Sequence, residues 1–504
     1  MSSVEFISKN LSWLPKGVSR VIEKNMQKIP AVKKLVAQEQ AGITDGMEHS
    51  FKPYHDKFER HSALPATGID RTKILADIEE MHQLESARWK DGYVSGGIYH
   101  GDQGHIDFLN RVYALQSQSN PIHSDLFPSS TKFDAEIVSM TANMLGKGKT
   151  SESANVCGTV TSGGTESILC AMKTYRDQAR EERGITAPEM LLPVTAHVAF
   201  EKAALYFGIK IVHIPMADDF RADVKAAERA ITRNTIVIVG SAPNFPHGII
   251  DPIKELSDLA LKHGLGFHTD CCLGGFVLPF AEKLGYPVPP FDFRLPGVTS
   301  ISADTHKYGY AAKGTSVVLY RNEALRHYQY YTATEWPGGL YMSPSLTGSR
   351  PGALSAACWA AMLSMGEEGY MRATKAILET AAIIRKGVET IPELKVIGNP
   401  LWIIAFRSDS LNVYEVLDRM TKKHWNLNGL HKPACVHFAL TLRQTQPGVA
   451  ERFINDLCES VEEVKKNPGS TDGNAPVYGL AANLPFRGMV TDILKKTLDV
   501  FYRV

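Results

Sequence analysis

Lysine attacks carbonyl carbon only as a free amine, and one lysine of this chain stands where a fold can make it so. Lys307 closes the run Ser302-Ala303-Asp304-Thr305-His306-Lys307, where an apolar strand ends. Desolvation there favours the neutral amine that a carbonyl cofactor requires. Upstream, His268-Thr269-Asp270 ends another strand, and His268 and Asp270, two apart, share one of its faces. A buried aspartate paired with an imine-forming lysine is the arrangement that holds pyridoxal phosphate. The aspartate keeps the ring nitrogen protonated, and the protonated ring accepts electrons from the substrate carbon. Ser162-Gly163-Gly164-Thr165-Glu166-Ser167 lies between a strand and a helix. Backbone N–H groups and the positive helix end converge there on an anion, which suits the cofactor's phosphate. The run is not the GxxxxGK[ST] of a nucleotide loop.

Each of these residues also has a plainer reading. Alone, Lys307 is more simply a solvated lysine, and glycines serve any strand–helix turn; it is their order together that carries the assignment. His263, His268, Asp270, Cys271 and Cys272 are dense in metal-ligand types. Their spacing is neither CxxC nor HExxH, and alternate strand residues face opposite ways, so no metal is expected. By pattern alone Tyr99 and His123 are as readily a loop aromatic and a polar loop residue as site residues, Lys313 could equally be a solvated lysine, and the motif around His247 reads as structural.

The elements that must position these groups are an α/β domain. From about 155 to 320, short apolar β-branched runs alternate with amphipathic helices: VCGTVT, LLPVT, IKIVHIP, TIVIVGSAP, GLGFHTD, VTSISAD and TSVVLY mark the strands. Strands apolar on both faces belong in a parallel sheet covered by helices, with the site at the strand ends. The division read from the pattern is an N-terminal segment 1–115, a large domain 116–355 and a smaller α+β domain 356–504. A helix is expected over Asp70–Arg88, a glycine-rich loop at GYVSGGIYHGDQG, and a surface loop at 465–476.

Composition bounds the rest. The 504 residues are 44% hydrophobic and 22% charged, with 55 basic against 54 acidic side chains. That balance offers no footprint for nucleic acid. Seven scattered cysteines do not make a secreted disulfide framework, and no run is long enough to span a membrane. A cytoplasmic, soluble protein is expected, with export by a specialised secretion system left open. Between Lys9 and Lys34 seven basic residues face one acidic residue, with apolar residues at helical spacing. This helix either packs on a partner subunit or rests on an anionic membrane surface.

SGGTES, TAHVAFEKAA, SAPNFPHG, HTDCCLGGF, SADTHKYGYAAKG and GSRPG together resemble the pyridoxal-phosphate enzymes of the group II decarboxylase superfamily. Within it the sequence is most similar to the sphingosine-1-phosphate lyase family, from about residue 70 to near the C-terminus. The resemblance implies a fold-type I, aspartate-aminotransferase-like architecture: a doubly wound, mainly parallel sheet with a smaller C-terminal α+β domain, working as a homodimer. It makes Lys307 the imine lysine, Asp270 the partner of the pyridine nitrogen and His197 the residue stacked on the ring, with Cys272 near the other face. Gly164, Thr165 and His306 would hold the cofactor phosphate with Ser349 of the neighbouring subunit, and Asn120 would sit beside the cofactor. Tyr99, His123 and Lys313 would bind the substrate phosphate.

The implied reaction is retro-aldol cleavage of a phosphorylated sphingoid base to a long-chain aldehyde and phosphoethanolamine. Two departures stand out: the eukaryotic lyases carry an N-terminal membrane anchor not seen here, and position 245 is Phe where some members have Tyr. The rivals are an amino-acid decarboxylase on the same scaffold and a non-catalytic binding protein that keeps the fold.

Overall fold

The computed structural model describes residues 51–469 and 487–504. The basic stretch Lys9–Lys34 and residues 470–476 of the polar loop lie outside them. Helices α1 (Arg71–Ser86), α2 (Gln103–Leu115) and α3 (Pro128–Met144) come first. Asp70 caps α1 by accepting the Thr72 and Lys73 amides at 2.8 and 3.4 Å, a contact worth about 1 kcal/mol. The glycine-rich stretch that follows is irregular and tight against later chain. At Gly92, φ is +81°, and a Cβ would lie 2.8 Å from the Arg443 carbonyl oxygen, so only glycine fits.

The α/β unit then runs β1 (Cys157–Thr161), α4 (Gly164–Arg183), β2 (Glu189–Pro193), α5 (Ala199–Phe207), β3 (Lys210–Ile214), α6 (Val224–Ala230) and β4 (Thr235–Ser241). It continues with α7 (Ile253–Lys262), β5 (Gly266–Asp270), α8 (Leu278–Lys283), β6 (Ser300–Ala303) and β7 (Ser316–Tyr320). The seven strands lie in the order β1-β7-β6-β5-β4-β2-β3. Strands β2 to β6 pair in parallel, whereas β7 runs antiparallel to both β6 and β1. The reversal has a local cause. No crossover helix separates β6 from β7, only the turn carrying His306 to Thr315, and a short connection returns the chain antiparallel. Strand β4 is buried along its whole length; Val237, Ile238 and Val239 are fully inaccessible, each contributing roughly 2 kcal/mol by burial.

After β7 come α9 (Glu323–His327), the hairpin β8 (Tyr331–Ala333) and β9 (Tyr341–Ser343), and the long α10 (Gly352–Glu389), interrupted at Gly366, where φ is +55°. Next are β10 (Lys395–Val396), β11 (Ile403–Arg407), α11 (Val413–Lys422), β12 (Asn428–Leu430), β13 (Cys435–Ala439), α12 (Val449–Lys466) and α13 (Arg487–Phe501). The last four strands form an antiparallel sheet ordered β10-β11-β13-β12. Of the boundaries read from the sequence, 115/116 falls at the end of α2 and 355/356 within α10. No helix among the described residues is long and apolar enough to cross a membrane.

Candidate active site

Register places the first chemical group. In the parallel pair β5–β6, His268 lies opposite Ser300 and Asp270 opposite Ser302, so all four side chains face the same way. Asp270 Oδ1 accepts the Cys272 amide at 3.0 Å and the Ser302 hydroxyl at 3.3 Å. Its carboxylate is thus fixed at the C-terminal end of β5, where an open α/β sheet presents its ligands.

The β6–β7 turn carries the second group. Lys307 Nζ sits 2.9 Å from Asp304 Oδ2. Burial by itself would lower the amine's proton affinity, but the Asp304 carboxylate outweighs it, with help from Cys272 and Tyr99, and the net shift is upward. The sequence reading expects a desolvated, neutral amine here. The protein groups instead hold an ammonium, because the aspartate three residues earlier is buried with it. Burial likewise opposes ionisation of Asp304, and Lys307 and then His306 reverse that, leaving its pKa lowered. His306 Nδ1 accepts the Gly314 and Thr315 amides at 3.3 and 3.2 Å. Its proton is therefore on Nε2, 3.6 Å from Asp304 Oδ2.

Beside this turn lies a cavity of about 220 Å³ whose lining includes Tyr99, His100, His105, His306, Tyr310 and Lys313. Lys313 Nζ stands 4.3 Å from the centre of the Tyr99 ring and donates to the His306 carbonyl at 3.2 Å. Crowding by protein, then the charge of Lys307, brings the Lys313 pKa down to about 8. Burial pushes the Tyr99 phenol up to about 12, so it remains a donor. Its ring is seated edge-on against Tyr308 at 4.8 Å.

The glycine turn completes the cluster. A Cβ on Gly164 would lie 2.7 Å from both Asp304 oxygens and 2.8 Å from Cys272 Sγ. The first residue of α4 thus abuts the Lys307 turn on one side and the Asp270 loop on the other. No side chain caps the N-terminus of α4, and its first amides remain available to an anion. Burial holds Cys272 as a thiol, well above the ordinary range. His197 precedes α5, and its Nδ1 accepts the Ala199 amide at 3.1 Å. It shares a groove of about 940 Å³ with Thr165, and that groove extends along α5 to Gly208 and Ile211. Phe245 stands edge-on to His197 at 6.4 Å, so position 245 does border the site.

Asn120, His123 and Ser349 form a separate group. Asn120 Oδ1 accepts the Ile122 and Arg350 amides at 3.3 and 3.2 Å, tying the 120–123 turn to the loop that bears Ser349. His123 and Ser349 are exposed. Among the described residues, no hydrogen bond, ion pair or ring contact links these three side chains to Lys307, Lys313 or Tyr99. Glu166 bridges nearby, accepting the Leu346 amide at 3.1 Å and the Ser162 amide at 2.6 Å. Asp304, Ser302 and Glu166 were not singled out from sequence. Asp304 was legible as the aspartate one helical turn before Lys307; Ser302 is explained only by strand register.

These residues fit pyridoxal phosphate. The cradle at Gly164 admits no Cβ, Asp304 Oδ1 is buried with no hydrogen-bond partner, and the donor set offers an amine, a carboxylate and free helix amides around one point. No group of three or more histidine, cysteine or carboxylate side chains among the described residues is arranged to hold a metal ion. The pyridoxal-dependent decarboxylase conserved domain matches residues 18–408. The sphingosine-1-phosphate lyase of Arabidopsis thaliana is 48% identical over 95% of this chain and 87% of its own. The chain belongs to the sphingosine-1-phosphate lyase family. A sphingosine-1-phosphate lyase structure from Burkholderia pseudomallei superposes with a TM-score of 0.83 at 43% identity, covering 90% of this chain and 99% of that one. Glutamate decarboxylase of Lactobacillus brevis, at 20% identity and a TM-score of 0.69, shares the fold alone. The family places pyridoxal phosphate as the cofactor and makes the chain a pyridoxal-dependent lyase.

Proposed function

We propose that this chain cleaves phosphorylated sphingoid bases between C2 and C3 by retro-aldol chemistry, releasing a long-chain aldehyde and phosphoethanolamine. The observation that carries the reading, within the family, is the cavity beside Lys307 lined by Lys313, Tyr99 and His306. A cation and a phenol donor within reach of one another suit a phosphate dianion.

The residues divide the work. Lys313 and Tyr99 hold the substrate phosphate, with His123, which stands apart from them in the single chain, joining them only in the assembled dimer; anchoring the phosphate sets which bond stands ready to break. Gly164, Thr165 and the Nε2–H of His306 take the cofactor phosphate, His197 covers the ring, and Asp270 keeps a proton on the ring nitrogen. Lys307 would supply the amine that holds the cofactor at rest, and Asp304 would pair with its ammonium while a substrate amine has displaced it. Pyridoxal phosphate, when bound, receives the electron pair of the breaking carbon–carbon bond.

The exposed His123 and Ser349, joined through the half-buried Asn120, support a homodimer, in which Ser349 of the partner subunit completes the phosphate cradle. A cytoplasmic location and a peripheral role for the basic N-terminal arm belong to the same reading. The test is incubation with pyridoxal phosphate and a phosphorylated sphingoid base, with both products measured by mass spectrometry. Aldehyde and phosphoethanolamine in equal amounts are expected. Yellow protein that forms neither would overturn the lyase in favour of a decarboxylase.

A further inference from the structure

His268 is fully buried, titratable and unused in the scheme above. Burial lowers its pKa to about 4, so the ring is neutral at physiological pH and carries one N–H. Its Nε2 lies 3.1 Å from Ser302 Oγ and its Nδ1 2.7 Å from Ser300 Oγ. Beyond Ser300, 2.5 Å away, is the hydroxyl of Tyr175, from the middle of α4.

The direction of these bonds follows from counting protons. A carboxylate only accepts, so the Ser302 hydroxyl proton goes to Asp270 Oδ1. With its proton so committed, Ser302 Oγ can only accept, from the Cys272 thiol at 3.4 Å and from His268 Nε2 at 3.1 Å, which puts the ring proton on Nε2 and leaves Nδ1 bare. A bare Nδ1 takes the Ser300 proton, so the 2.5 Å contact beyond it takes the Tyr175 proton in preference to the Phe267 carbonyl at 3.2 Å, which the Thr299 hydroxyl reaches at 3.0 Å. Burial raises the Tyr175 pKa and keeps that proton in place. The ring of Tyr175 reaches this position only because residue 266 is glycine: a Cβ there would lie 2.3 Å from Tyr175 Cε1.

We propose that Tyr175, Ser300, His268 and Ser302 form a one-way hydrogen-bond relay that ends on Asp270 and positions it for the ring nitrogen of the cofactor. The proposal rests on the cofactor reading of Asp270. Each donor polarises the next, so the relay favours the carboxylate anion over the acid and leaves the shared proton on the ring nitrogen. Both structural bonds to Asp270 fall on Oδ1, which leaves Oδ2 for that nitrogen. These four are positioning residues, since none but Asp270 would touch the cofactor.

The test compares two ligands of the cofactor-free protein by fluorescence titration: pyridoxal phosphate, and its analogue with carbon in place of the ring nitrogen. Tyr175→Phe removes one oxygen and should weaken pyridoxal phosphate binding about 3- to 10-fold; His268→Leu should weaken it about 10- to 100-fold. His268→Gln, whose amide can donate toward Ser302, should recover most of that loss. The analogue should bind all variants within about twofold of wild type. Equal losses for both ligands would mean a packing role and overturn the relay, as would no loss for either. Wild-type protein that binds both ligands alike would overturn the relay while leaving the cofactor reading standing; protein that binds neither would sink both.

Discussion

Two regions of this molecule hold the proposed site residues, and they are built differently. Asp270, Cys272, Asp304, His306 and Lys307 sit at the ends of β5 and β6 or in the turn after β6, locked by register and by one another. Asn120, His123 and Ser349 sit on loops, with Asn120 half-buried and tied to the Ser349 loop through the Arg350 amide, and His123 and Ser349 exposed. The first region is complete within one chain. Cofactor chemistry is thus fixed by the sheet, while the second group is held by loop contacts alone.

The largest expected effect lies in the first region. Lys307→Ala should abolish the cofactor's imine absorbance and reduce turnover by at least about 10³-fold; full activity in that variant would dissolve the distinction between the regions. Gly164→Ala comes next. Its methyl would press on Asp304 and Cys272, and cofactor affinity should collapse while thermal denaturation shows about 1–3 kcal/mol of lost stability. Lys313→Ala should keep the cofactor's spectrum and lose about 10- to 100-fold in kcat/KM for the phosphorylated substrate.

A pH profile sharpens the same point. Lys313 loses its proton as pH rises through about 8, so kcat/KM should fall on the alkaline side of that value, and Lys313→Arg should move the fall upward. The smallest effect is expected in the second region: Ser349→Ala should weaken pyridoxal phosphate about 3- to 10-fold. Dilution of wild-type protein should weaken it too if the loop serves a second copy. Dilution without effect would make the exposed loop irrelevant to the cofactor.

Much of the strand-end region was legible in the residues, because its pieces are local. Period, apolar runs and the Ser302–Lys307 and Ser162–Ser167 motifs each belong to a single segment, and every strand from β1 to β7 falls on a run picked out from the pattern. Contacts between segments were not legible. That Asp304 cancels the desolvation of Lys307 depends on how a turn folds back. That Ser300 and Ser302 serve His268 and Asp270 depends on the offset between two parallel strands, which no single segment encodes. The antiparallel course of β7 was hidden for the same reason, its run being as apolar as its parallel neighbours. The separation of Asn120, His123 and Ser349 from Lys307, Lys313 and Tyr99 was hidden because it depends on where separate loops lie, which no single segment encodes.

The place of β7 has a consequence for how the protein is made. Strand β1, with the glycine cradle at its end, has β7 as its partner in the sheet, and β7 is the last strand of that sheet to leave the ribosome. Strands β2 to β6 can assemble as they emerge, whereas β1 waits as an unpaired apolar edge until the whole unit has been synthesised, a long-range closure of the slow kind. Pulse-labelled hydrogen exchange during refolding should therefore find Cys157–Thr161 among the last amides protected, with the cofactor cradle maturing after the sheet that flanks it.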